Sequence, residues 1–128
     1  MKRNLICMMF VVVLLIPALA PAATEQQDFI VDSTDDIVDL CTTAPDDPLY
    51  TAAIHFCQGY LVGAYAYHNA LASGPEGVRL VCCPDPAPSR NEAIGMYVEW
   101  AKAHPEHMKE APVETLFMFL TEHWPCKE

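Results

Sequence analysis

Five cysteines, Cys41, Cys57, Cys82, Cys83 and Cys126, follow an N-terminal segment of export type, and this combination restricts the fold more than any other feature of the chain. Lys2 and Arg3 precede an apolar run from Leu5 to Ala20, and the small residues Ala18, Ala20 and Ala22 stand at its end. Basic, apolar and small-residue regions in that order read as a secretory signal peptide over residues 1–22, with Ala23 as the expected first mature residue. Cys7 would leave with it. Disulfides persist in the compartment such a chain enters. Five cysteines then allow two bridges and one free thiol, and any four cysteines have three possible pairings. Metal binding is the rival use, but no pair has the Cys-x2-Cys spacing, and the adjacent Cys82 and Cys83 chelate one ion awkwardly. No metal and no other cofactor is expected.

Removal of residues 1–22 takes away Lys2 and Arg3 and no acid, leaving five basic against 17 acidic side chains, a net charge of −12. Such a balance disfavours nucleic acid and anionic membrane surfaces, whose phosphates require a basic patch, and favours a basic partner. No second membrane-length segment follows Ala23, and Cys7 precedes the apolar run instead of ending it, so no membrane anchor is expected.

The periodicity predicts an all-α fold, a small disulfide-bonded bundle of about four helices. Residues 23–34 are mostly polar and aperiodic and read as a flexible lead-in. A first, short helix is expected from Ser33 or Thr34 to Cys41, with Asp35 and Asp36 where the helix dipole favours acids. A second, longer helix should open at Asp47-Pro48 and stop at Ser73-Gly74-Pro75, its stripe running through Ala52, Ala53, Phe56, Tyr60, Ala64, Tyr67 and Leu71. Gly59 and Gly63 lie four apart on it, and close approach of another backbone would offset their poor helix propensity. Ser89 and Glu92 form a capping box that opens a third helix ending near His104. A fourth should start at Pro112 and close at Trp124. The short link between the last two predicts antiparallel packing. That places Cys82 near Cys126 and leaves Cys41 and Cys57 to tie the first helix to the second.

Converging catalytic groups are not evident, and no enzyme activity is expected. His104-Pro105-Glu106-His107 lies at a helix end and lacks the two-turn spacing of a helical zinc site, so it reads as a solvated loop. A lone thiol at Cys83 is no nucleophile without a positioned base. Asp35-Asp36 and Asp46-Asp47 read as helix-entrance charges and not as a glycosidase pair. Tyr65 and Trp100 fall off the apolar stripes of their helices, which marks them as candidates for an exposed contact surface.

Five short stretches together resemble a known family. They are Asp36-Ile37-Val38-Asp39-Leu40-Cys41, Phe56-Cys57-Gln58-Gly59-Tyr60 with Gly63, Cys82-Cys83-Pro84, His104-Pro105-Glu106 and Trp124-Pro125-Cys126. In that order they are similar to the Rap/Tai family, the resistance-associated and type VI amidase immunity proteins. The resemblance implies an immunity-like helical domain over residues 35–126, periplasmic and often a homodimer. It further implies binding to a peptidoglycan amidase effector delivered by type VI secretion, whose active site such proteins block. In that family the cysteines matching Cys41, Cys57, Cys82 and Cys126 are structural disulfide partners. Cys83 departs from the pattern, standing where an apolar residue is usual, and leaves Cys82 and Cys83 as competitors for Cys126.

An inhibitor of this kind needs a protruding element on a rigid frame. The loop from His104 to Ala111 is the best such element, and Glu106, His107, Met108 and Lys109 are its expected effector contacts. A competing reading is a periplasmic acid-stress or general chaperone-like helical protein without a toxin partner, since its many carboxylates would titrate on acidification. A lipid carrier ranks last, because the eight-cysteine pattern of plant lipid-transfer proteins is missing.

Overall fold

A computed structural model describes residues 23–127. The signal peptide expected over residues 1–22 lies outside the described residues. Four α-helices form the domain: α1 (Thr34–Thr42), α2 (Tyr50–Ala72), α3 (Arg90–Ala103) and α4 (Pro112–His123). Two single 3-10 turns, Gln26–Ile30 and Pro105–His107, precede α1 and follow α3. Among the described residues there is no β-strand, only an isolated antiparallel bridge between Val81 and Pro125. The expected all-α bundle is the fold.

Local chemistry explains the helix starts. The Ser33 hydroxyl accepts from the Asp36 N–H (3.4 Å), and the Ser33 N–H donates to Asp36 Oδ2 (2.9 Å). Ser89 and Glu92 repeat the exchange at α3, at 3.3 and 2.8 Å. Each box satisfies amides that the first turn of a helix leaves open. Pro112 supplies the fixed φ suited to the first turn of α4. α2 begins at Tyr50, two residues later than the Asp47-Pro48 signal suggests, because Asp47 Oδ1 accepts from the Leu49 N–H (2.7 Å) and holds a turn ahead of the helix.

The stripe expected for α2 is out of register with the observed one. Ala53, Cys57, Leu61 and His68 face the core, whereas Tyr67 (67%) and Leu71 (57%) are largely exposed. Nor does another backbone cover Gly59 and Gly63. A Cβ built at either position meets nothing within 4 Å. Their face of α2 is open.

Ile37, Leu40, Ala53, Tyr97 and Phe119 are fully buried and draw all four helices onto one core. A polar column runs through it. Thr34 Oγ1 and Thr115 Oγ1 are 2.7 Å apart, Tyr97 Oη lies 2.9 Å from Thr115 Oγ1, and Thr34 Oγ1 donates to the Glu110 carbonyl at 3.0 Å. Buried hydroxyls satisfied this way fix one arrangement of α1, α3 and α4. Burial holds the Tyr97 phenol above its ordinary range, which keeps it a hydrogen-bond donor.

Disulfides join Cys41 to Cys57 and Cys82 to Cys126, and Cys83 is an exposed free thiol. The first bridge ties the end of α1 to α2. The second holds the segment before α3 against the short tail after α4, where the Cys82 N–H also donates to the Trp124 carbonyl (2.8 Å). Residues 23–34 are more structured than an aperiodic lead-in. Thr24 is buried with its hydroxyl 2.6 Å from that of Thr43, and Phe29 packs edge-on against Phe56 at 5.6 Å.

Candidate functional site

The loop from His104 to Ala111 is strapped to the bundle. Its two inward carbonyls, Met108 and Glu110, accept from the Asp35 and Thr34 N–H groups, both at 2.9 Å. Those amides belong to the first turn of α1 and have no partner within their own helix. The loop thus caps α1 while α1 fixes the loop.

Trp100 forms the floor beneath it. Its indole stacks on His104 (centroids 4.4 Å apart, 29°) and lies nearly parallel to His107 (5.9 Å, 3°), and its Nε1–H donates to Glu122 Oε2 at 2.9 Å. This tryptophan is only 8% exposed. The exposed contact surface expected of Trp100 is therefore corrected: the loop and α4 bury it. Tyr65, the other candidate, is half-buried.

The four expected effector contacts divide into two kinds. Glu106 and Lys109 project outward, with side chains 61% and 82% exposed, and Lys109 Nζ pairs with Asp35 Oδ2 at 3.1 Å. His107 turns inward over Trp100, with Nδ1 2.9 Å from Glu110 Oε1. Met108 packs against the core. One pair presents chemistry and the other anchors the backbone that carries it. No catalytic group emerges from His104, whose Nδ1 is 2.7 Å from the Trp100 carbonyl and whose ring is held in the stack. Among the described residues no group of three His, Cys, Asp or Glu side chains is placed to hold a metal ion.

An acidic surface adjoins the loop. Asp39 is raised above the usual carboxylate range by burial, then by its neighbours Asp35, Asp28 and Asp36, with Lys102 opposing. These like charges lie close enough to repel, and the Lys109 ammonium offsets part of their field at Asp35.

His107 is raised above 6.5, first by its hydrogen bond to Glu110, with burial opposing and the Glu110 and Glu106 charges adding to the rise. A raised imidazole contributes stability fully below its unfolded value and loses it as pH rises through the folded one. The strap should therefore be tightest below pH 6.5 and loosen above it. Hydrogen exchange at the amides of residues 106–110 is expected to show greater protection at pH 6 than at pH 8 after correction for intrinsic rates. His107→Gln should abolish that difference. An unchanged difference would remove His107 as its source.

Sequence reasoning missed Thr34, Thr115 and Trp100 as supports of the loop. Nothing local marks them, since Thr34 and Thr115 are separated by 81 residues. A model of a protein family described as Rap1a immunity proteins matches residues 33–126, which include all four helices and the loop. Searches of curated proteins and of solved structures gave no match.

Proposed function

Because the chain belongs to the Rap1a immunity protein family, a family of immunity proteins and not of enzymes, we propose that it is the periplasmic antidote to a peptidoglycan amidase effector delivered by type VI secretion. The family match over residues 33–126 is the observation that carries this reading. Two features of the molecule support the mode of action. The first is the strapped loop, which offers Glu106 and Lys109 on a backbone already fixed by α1 and Trp100, so little ordering entropy is lost on docking. The second is charge: with residues 1–22 removed, the net charge of −12 and the acids beside the loop would speed encounter with a basic enzyme. Disulfides and the absence of a membrane-spanning helix among the described residues are in keeping with an exported protein.

A homodimer fits the same frame. Gly59, Gly63, Ala66, Tyr67 and Ala70 form an exposed face of α2, where small side chains permit a second helix to approach closely.

The test is inhibition of a purified type VI peptidoglycan amidase from the same strain by the mature protein. Tight inhibition at one protomer per amidase is expected, weakening as salt screens the encounter, and sedimentation equilibrium should give the mass of two chains. Glu106→Ala and Lys109→Ala should each raise the inhibition constant about tenfold, or ~1.4 kcal/mol. Neither should shift the melting temperature, because an exposed ion pair contributes little to stability. No inhibition and no complex would overturn the reading.

A further inference from the structure

Between α2, α3 and α4 lies a pocket of about 350 Å³ that opens to solvent beside the segment from Cys83 to Pro88. Its floor is Leu61, Leu116, Phe119 and Leu120, none more than 5% exposed, and Val62 and Ile94 stand along its walls. No carboxylate lines it, although the chain has 17 acids. At the mouth Arg90 is exposed, and the Tyr65 hydroxyl lies 3.1 Å from Cys83 Sγ. Tyr65 is raised above the ordinary phenol range, chiefly by burial and by the bond to Cys83, while the nearby Arg79 charge works the other way.

Only five basic side chains follow residue 22: Arg79, Arg90, Lys102, Lys109 and Lys127. One of them, Arg90, stands at this opening, and every ion pair among the described residues involves His107 or Lys109 instead. An apolar hollow with one guanidinium at its edge and no carboxylate in its lining is complementary to an apolar chain ending in an anion. A neutral or cationic amphiphile would leave that charge unused.

We propose that the pocket binds a fatty acid, its acyl chain against Val62 and Ile94 and its carboxylate against Arg90. Methylene groups leave water for a wall of carbon, and the guanidinium fork suits a carboxylate. The site lies apart from the loop of residues 104–111, so it does not depend on the immunity reading.

Isothermal titration of the mature protein with dodecanoate below its micellar concentration provides the test. Saturable binding of one dodecanoate per protomer is expected, with dodecyltrimethylammonium at least about tenfold weaker. Arg90→Glu should weaken dodecanoate about tenfold and strengthen the cationic analogue. Ile94→Trp, which fills the pocket, should abolish binding of both, with far-UV circular dichroism checking that the helices remain. Ala93→Phe serves the same purpose if that variant fails to fold. Absence of saturable binding, equal affinity for the two head groups, or binding undiminished by a filled pocket would overturn the proposal. So would dissociation of a dimer in step with titration, which would assign the hollow to a second copy of the chain. No amidase enters the assay, so its failure and that of the immunity reading are separately visible.

Discussion

Cys126→Ser is expected to lower the stability of the mature protein by about 4 kcal/mol, against roughly 3 kcal/mol for Cys41→Ser, under the chain-entropy model of cross-links. The difference follows from the spans closed, 44 residues for the bridge from Cys82 to Cys126 and 16 for that from Cys41 to Cys57. A small domain has about 5–15 kcal/mol in total, so either loss is a large share of it. Native effects add to the first. The bridge holds Val81 against Pro125 and keeps the Cys82 N–H on the Trp124 carbonyl, and these contacts anchor one end of the segment bordering the apolar pocket. Cys126 is a cleaner target than Cys82, because Cys83 stands beside Cys82 and would offer Cys126 another partner. Urea unfolding followed by circular dichroism gives the answer. A midpoint for Cys126→Ser equal to that of the parent would mean that the bridge does not constrain the unfolded chain as described.

What was legible in the sequence divides by the range of the interactions responsible. The boxes at Ser33 and Ser89 are exchanges between residues three apart, and their helices start where the sequence places them. α2 was legible as a helix but not in its facing. It carries apolar or small residues all round, so the three-and-four spacing through Phe56, Tyr67 and Leu71 fits as well as the spacing through Ala53, Cys57 and Leu61 that packing selects. Trp100 is the clearest failure of periodicity. It lies off the stripe of its helix, yet the strapped loop and Glu122 cover it, and both are recruited by folding. From its position between two helices the loop itself reads as a protrusion. Its division into outward Glu106 and Lys109 and inward His107 and Met108 depends on the α1 amides, which lie some 70 residues earlier in the chain. The apolar pocket left no mark in the sequence, because its floor is the same set of leucines and aromatics that builds the core.

Phe119→Ala is expected to lower stability by about 3–5 kcal/mol, the range for truncating a fully buried phenylalanine. The ring is 0% exposed and is the hub of the aromatic core. Tyr97, Trp100, Trp124 and His123 have centroids 5.9, 6.3, 5.7 and 4.4 Å from it. Each such aromatic pair adds roughly 0.5–1.5 kcal/mol beyond the area it buries, which favours the upper part of the range. The vacated volume would also join the neighbouring pocket, since Phe119 forms part of its floor. Water could then reach Trp100, which is now almost wholly covered. The expected signature is therefore double: an unfolding midpoint well below that of the parent, and a red-shifted tryptophan emission while the protein is still folded. Phe119→Leu separates the two causes, because it keeps most of the apolar volume and should cost less than half as much, with little spectral change. A loss below about 1 kcal/mol for Phe119→Ala, with emission unchanged, would mean that the surrounding rings close over the gap and that the core is not organised around this side chain.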